Sequence, residues 1–308
     1  HSSIFYCMGT IAMQEGKPAL SHKRRRACVE EEDYSNEHFW DQRYQNGYSW
    51  EWYCDYSSLK PLLDENLDKS KGVLEIGCGD KPLVVDMKAD GYHGQLLGTD
   101  FSQTVIDQLV LSNVKRTQEG NFKSKSAESV SSNLSFLKMD ARHLDCPCQS
   151  MGAVIDKGTI DAMLCAPGDG WRANATAVAA EAGRVLAAPG CLVVVSHIDP
   201  ENSQFEDYIQ AILEGFVLKI QDPVHLHLDI HCAADADEED SDAAASKEKV
   251  GEREKEDEEG GYRKPPTVYI LRKRAGRQTR RWLAAGGAAG QRRAAAAGGA
   301  VAVAIHEH

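Results

Sequence analysis

Val73-Leu74-Glu75-Ile76-Gly77-Cys78-Gly79-Asp80 is a short apolar run that ends in glycines. With helix-compatible residues following from Lys81 to Ala89, it predicts strand, tight turn and helix, the opening of a doubly wound α/β unit. Glycines in the turn let the backbone pass close to a bulky ligand, because no Cβ stands in the way. About twenty residues on, Leu96-Leu97-Gly98-Thr99-Asp100 is a second apolar run closed by a carboxylate. An acid there accepts hydrogen bonds from the two hydroxyls of a ribose, so a ligand carrying a nucleoside is expected across these strand ends.

The run after the strand is Gly-Cys-Gly-Asp-Lys-Pro. A dinucleotide site would place a third glycine where Pro82 stands, and Asp80 would repel a pyrophosphate. A ligand without phosphate and with positive charge suits the site better. S-adenosylmethionine, which joins an adenosine to a sulfonium and an ammonium, has that chemistry. The glycine run alone also fits an α/β protein of another kind.

Later strands repeat the pattern. Leu134 to Asp140 predicts a third strand, with Asp140 at its end facing an adenine amino group and Ala141 supplying backbone. Met151 to Asp156 predicts a fourth, running into Lys157-Gly158-Thr159-Ile160-Asp161-Ala162. Ligands in open α/β sheets lie beyond the carboxyl ends of the strands, which brings Asp156 and Lys157 to the chemistry as channel-lining candidates, with His197, at the end of the strand Cys191 to Ser196, behind them. Helices are expected at Ser57–Leu63 with a serine cap and Pro61 in the first turn, at Phe101–Leu111 capped by Ser102, at Gly170–Leu186 and at Glu201–Glu214. Ser112 to Asn133 is read as a polar insertion loop, and Phe216–His231 with Thr267–Arg272 as an antiparallel strand pair.

Before the first strand, Tyr34 to Leu63 is crowded with aromatic residues, Trp40, Tyr44, Trp50 and Trp52 among them. An aromatic face attracts a sulfonium cation by roughly 0.5–2 kcal/mol, so this lead-in is read as a lid as well as packing.

The chain has 308 residues and a formal charge of -12, enough for one large domain. Asp235 to Glu259 holds thirteen acids against four bases and so accounts for nine of the twelve net negative charges; the remainder is nearly neutral, and overall acidity says nothing about substrate. The domain reading is a disordered segment 1–33, a catalytic domain 34–274 with a disordered acidic insertion 233–261, and an Ala/Gly/Arg low-complexity tail 275–308. Lys23 to Arg26 is read as a solvated charge cluster. The nine cysteines lack paired metal spacing, so reduced thiols in a cytoplasmic protein and no metal are expected. His225, His227 and His231 share a strand face without a matching acid or cysteine and are read as packing. No apolar run of membrane-spanning length occurs, and His1 in place of Met leaves room for a preceding segment.

Phe39-Trp40-Asp41-Gln42-Arg43-Tyr44, Trp52-Tyr53-Cys54-Asp55-Tyr56-Ser57-Ser58, Leu74-Glu75-Ile76-Gly77-Cys78-Gly79 and Asp156-Lys157-Gly158-Thr159-Ile160-Asp161-Ala162 follow one another in this order. Together they resemble the class I methyltransferases, in the methyltransferase-like branch that includes lysine methyltransferases of translation elongation factor 1-alpha, over residues 34–231 and 267–274. The resemblance implies a seven-stranded Rossmann-like sheet with helices on both faces and the final strand antiparallel. It implies S-adenosylmethionine contacts at Trp40, Tyr44, Trp52, Gly77, Asp100, Phe101, Asp140, Ala141 and Lys157, and a protein substrate such as elongation factor 1-alpha. Two other readings fit the same fold: a small-molecule methyltransferase, and a non-catalytic module that binds the cofactor. The lack of an Asn-Pro-Pro-aromatic run and of a basic stripe argues against nucleic acid.

Overall fold

The computed structural model describes residues 34–47, 49–118, 133–166, 170–220, 224–233, 265–275 and 302–307. The expected N-terminal segment 1–33 with its Lys23–Arg26 cluster, Tyr48, nearly all of the acidic insertion and most of the tail lie outside the described residues.

Two helices, α1 (Glu37–Gln45) and α2 (Tyr56–Asn66), precede β1 (Val73–Ile76). Next come α3 (Leu83–Ala89), β2 (Leu96–Asp100), α4 (Gln103–Gln118), β3 (Leu134–Lys138) and β4 (Met151–Lys157). The chain continues through α5 (Thr159–Met163), α6 (Gly170–Val185), β5 (Leu186–Ser196), α7 (Phe205–Leu218), β6 (Val224–Cys232), β7 (Thr267–Ala275) and β8 (Ala302–Glu307). One sheet holds all strands in the order β3-β2-β1-β4-β5-β7-β6-β8. Strands β1 to β5 are parallel, and β7 runs antiparallel between β5 and β6.

The central strands read as continuous apolar runs because both faces are covered. On one face, α6 and α7 pack through Ala175, Val178, Ile212 and Phe216 onto Leu74, Val154 and Leu192. On the other, α2, α3 and α4 pack through Leu59, Leu63, Met87 and Val105 onto Val73, Ile155 and Val193. Chain order reverses between β1 and β4, the two strands that flank the crevice where such sheets bind ligands.

Several expectations are corrected. Seven strands form the expected sheet with its reversed strand, and β8 adds an eighth, parallel to β6, within the stretch read as a tail. The edge of β6 offers backbone groups to pair with. Phe216 belongs to α7, not to a strand, because burial at Ile209, Ile212, Leu213 and Phe216 keeps helical spacing past Gly215. That glycine is a packing position: a Cβ there would lie 2.3 Å from the Thr176 carbonyl oxygen on α6. Helix α2 is capped by Asp55, whose carboxylate accepts from the Ser58 amide at 3.0 Å, and Pro61 falls inside the helix. Helix α4 runs seven residues beyond its expected end at Leu111, into the presumed loop, to Gln118.

Candidate active site at the carboxyl ends of the strands

Chain direction turns sharply after β1. Gly77 and Gly79 adopt φ of 57° and 55°, a left-handed conformation that costs other residues energy. At Gly77 there is also no space, since a Cβ would stand 2.0 Å from Thr159 Oγ1, the hydroxyl that donates to the Ile76 carbonyl at 3.0 Å. The Gly79 amide donates to Asp100 Oδ2 at 3.1 Å, and the Ser102 amide to Asp100 Oδ1 at 2.9 Å. Glu75, buried beneath the turn, accepts from the Leu83 and Val84 amides at 3.0 and 3.1 Å and so caps α3. Burial pushes the Asp100 carboxyl up to about 6 and that of Glu75 up to about 7, against the pull of their backbone donors.

An aromatic wall closes one side. Helix α1 is tied to the start of α4 by the Asp41 carboxylate, which accepts from the Ser102 hydroxyl and from the Thr104 amide. This places Trp40 against Tyr44 and Trp52, with ring centroids 5.9 and 6.0 Å away. The Trp40 indole donates to the Tyr34 carbonyl at 2.8 Å. Between α1 and α2 the chain forms a strap, pinned by the Lys157 ammonium, which donates to the Glu51 carboxylate and, at 3.1 Å, to the Trp52 carbonyl.

Shelf, wall and strand ends line a cavity that is open at its mouth. All nine residues expected around the ligand line it: Trp40, Tyr44, Trp52, Gly77, Asp100, Phe101, Asp140, Ala141 and Lys157. Asp140 differs from Asp100 in being already taken, since Arg142 grips its carboxylate through Nε at 2.9 Å and through its terminal nitrogen at 2.8 Å. Burial raises the Asp140 carboxyl, but the Arg142 bonds outweigh it and hold the group below the usual aspartate range. Sequence reasoning did not assign Glu51, Met139 or Met163 to the site. The methionines look like ordinary core residues, and Glu51 meets Lys157 across 106 positions, with no local spacing to announce it.

Asp156 departs from its expected place. It is fully buried and does not line the cavity; its carboxylate accepts from the Thr159 and Ile160 amides at 3.1 and 3.3 Å and caps α5. Burial, with the nearby Asp161 charge, pushes it up to about 8. Asp161 is equally buried, yet it accepts from the hydroxyls of Tyr53 (2.7 Å), Ser196 (2.8 Å) and Tyr208 (2.8 Å) and from His197 Nδ1 (2.8 Å). Burial raises this carboxyl too, but those donors outweigh it and hold it below its ordinary range. In β6, His227 Nδ1 lies 3.2 Å from Asp229, and among the described residues no cluster of three metal-ligating side chains forms.

No family model matches the chain. Among curated proteins it is 31% identical over 188 residues to the eEF1A lysine and N-terminal methyltransferase of Danio rerio, a match covering 60% of this chain and 24% of that protein. The Homo sapiens protein of the same name is 31% identical over 160 residues, covering 52% of this chain and 20% of the relative. EEF1A lysine methyltransferase 4 of Mus musculus is 27% identical over 176 residues, 54% of this chain and 63% of that protein. The matched stretch thus spans less than two thirds of each relative's length. Its strand order, its reversed β7 and its glycine turn facing Asp100 make the Rossmann-like sheet of the class I methyltransferase fold, and over roughly half of its length the chain is similar in sequence to proteins named eEF1A lysine methyltransferases.

Proposed function

We propose that the chain is an S-adenosylmethionine-dependent protein-lysine N-methyltransferase acting on an elongation factor 1-alpha-like substrate. The observation that carries this reading is the cavity itself: a glycine shelf lined by Asp80 and Asp100 and facing an aromatic wall, in a chain similar to proteins named for methylating lysine on eEF1A.

The residues present fit the cofactor. Of the acids that line the cavity among the described residues, Asp140 is paired with Arg142 and Glu75 caps α3, which leaves Asp80 and Asp100 facing Lys81, while Lys157 is already paired with Glu51. That balance suits a cationic ligand and disfavours a pyrophosphate. Asp100 spends one bond of each oxygen on backbone donors and keeps acceptor capacity for two hydroxyls. Trp40, Tyr44 and Trp52 line the cavity with aromatic rings, which attract a cation. Asp140, Ala141 and Phe101 would hold the adenine side, and Gly77 leaves the space beneath the ligand. Bound there, S-adenosylmethionine supplies an electrophilic methyl group on sulfur. Lys157 keeps the strap over the site by holding Glu51 and the Trp52 carbonyl. The protein's larger contribution is alignment, worth on the order of 7–11 kcal/mol in favourable cases. A lysine side chain reaching the strand ends must lose a proton first, because its ammonium has a pKa of about 10.4.

Incubating the purified chain with methyl-labelled cofactor and purified eEF1A, followed by peptide mass spectrometry, tests the proposal. Label on lysine is expected. Label confined to small molecules of an extract supports the small-molecule reading, and tight cofactor binding without transfer supports the non-catalytic one.

A further inference from the structure

His197 stands at the end of β5, beside the start of α5, where the Gly158 amide donates to the Val195 carbonyl at 3.1 Å. Its Nδ1 lies 2.8 Å from Asp161 Oδ2, and its backbone amide donates to the same oxygen at 3.1 Å. A carboxylate only accepts, so the neutral imidazole carries its hydrogen on Nδ1, which leaves the Nε2 lone pair on the far side of the ring. The Asp161 side chain is sealed from solvent, whereas 17% of the imidazole remains exposed. Tyr53 links this pair to the cavity. It adopts φ of 63°, sets its ring 3.1 Å from where a Cβ of Gly158 would be, and reaches Asp161 at 2.7 Å and His197 Nδ1 at 3.1 Å with its hydroxyl. Gly158 lines the cavity, and the Tyr53 ring neighbours that of Trp52, another lining residue, at 6.3 Å.

We infer that His197 Nε2 is the group that takes the proton from the incoming lysine ammonium. This rests on the proposed lysine methylation and deepens it. One N–H bond of the ammonium breaks and the proton goes to Nε2, forming an imidazolium stabilised by the Asp161 carboxylate. The freed nitrogen lone pair then forms the N–CH₃ bond as the S–CH₃ bond breaks, and its electrons stay on sulfur. The imidazolium returns its proton to water. Asp161 and the Tyr53 hydroxyl meet the ring at Nδ1; the Tyr208 hydroxyl stands behind them on Asp161, with Asp156 and Tyr269 at longer range from that carboxylate and Asp199 two residues on from His197. Burial, with Asp161 nearby, pushes all three phenols up and keeps them neutral. Asp161 therefore supplies the facing negative charge.

His197→Asn decides the matter, since an asparagine amide keeps a donor where Nδ1 was and removes Nε2. Transfer to eEF1A at pH 7.5 is expected to fall roughly 100-fold, with cofactor affinity by calorimetry unchanged. The deficit should shrink about tenfold per pH unit towards pH 9.5, as solvent deprotonates the lysine instead. A variant as fast as the parent at every pH overturns the inference. So does one that loses cofactor binding and shows no recovery at high pH, the sign of a purely structural histidine. Nitrogen NMR of the labelled imidazole gives a reading independent of activity: an Nε2–H tautomer at neutral pH also overturns it. If the unsubstituted chain methylates no lysine, the proposed reaction itself fails, which is told apart because the parent is then inert.

Discussion

Acids on the two sides of the site are held by different means. At the ends of β1 and β2, Glu75 and Asp100 accept from backbone amides of the same strand–helix–strand unit, between two and 21 positions away in the chain. At the ends of β4 and β5, Asp161 is held mainly by side chains from the strap, β5 and α7, as far as 108 positions distant in the chain. Backbone donors partly offset burial, and those carboxyls drift upward; hydroxyls and an imidazole outweigh it, and Asp161 stays ionised. The cofactor side is thus a property of local chain conformation, while the opposite side depends on tertiary assembly.

The largest expected effect tests the assembled side. Asp161→Asn turns an acceptor-only group into one that presents an amide to four donor-bearing residues, and it should lower unfolding stability by roughly 3–5 kcal/mol in urea titrations. A loss under about 1 kcal/mol would mean that the cluster does not bind the strap to the sheet. Next comes the local side. Gly77→Ala adds left-handed strain to a clash with Thr159 and is expected to cost about 2–3 kcal/mol of stability and abolish cofactor binding. Gly79→Ala, where a Cβ would meet only the Tyr44 hydroxyl at 3.3 Å, should lose less on both counts. Equal losses would show that backbone conformation alone, rather than the Thr159 contact, shapes the shelf.

The same contrast explains what was legible in the sequence. Strand, glycine turn and closing acid keep fixed short spacings, so the shelf and Asp100 could be read from a few residues. The aromatic lead-in was visible as composition, though not the pinning of its strap by Lys157 and Glu51. Asp156 and Asp161 look interchangeable in Asp156-Lys157-Gly158-Thr159-Ile160-Asp161. Only the fold shows that one caps a helix and the other gathers distant hydroxyls. Strand β8 escaped because alanine-rich sequence has little pattern of its own, and its partner β6 lies far away in the chain.

Asp100 and Asp140, each read as an acid at a strand end, should separate in binding. Asp100→Ala is expected to weaken cofactor affinity by about 10- to 100-fold, the worth of bonds to a charged acceptor. Asp140→Ala should cost less than about tenfold, because Arg142 already occupies that carboxylate. With the Asp100 carboxyl pushed up to about 6, affinity in the parent should fall as pH drops through 6, where the ionised acceptor is lost. Calorimetry from pH 5 to 8 checks all three, and an affinity flat with pH would remove Asp100 from the ribose.

The smallest effect is expected at Asp156, and its sign separates it most sharply from Asp161. The folded chain keeps the Asp156 proton up to about pH 8, whereas the unfolded chain releases it in the ordinary aspartate range. A group raised in this way contributes stability that is full below about pH 4 and is lost progressively up to about pH 8. Asparagine imitates the neutral carboxyl and its carbonyl still accepts from the Thr159 and Ile160 amides, so Asp156→Asn should cost under about 1 kcal/mol at neutral pH. Its stability relative to the parent should improve as pH rises from 4 to 8, because the substituted chain no longer loses the Asp156 contribution. Asp161, lowered by its donors, behaves oppositely: its contribution is present above the ordinary aspartate range and disappears on acidification below it. Denaturation of Asp156→Asn and the parent at pH 5, 6.5 and 8 reads this directly. A gap that stays flat from pH 5 to 8 would mean that Asp156 is ionised in the fold, and that the first turn of α5 faces two negative charges.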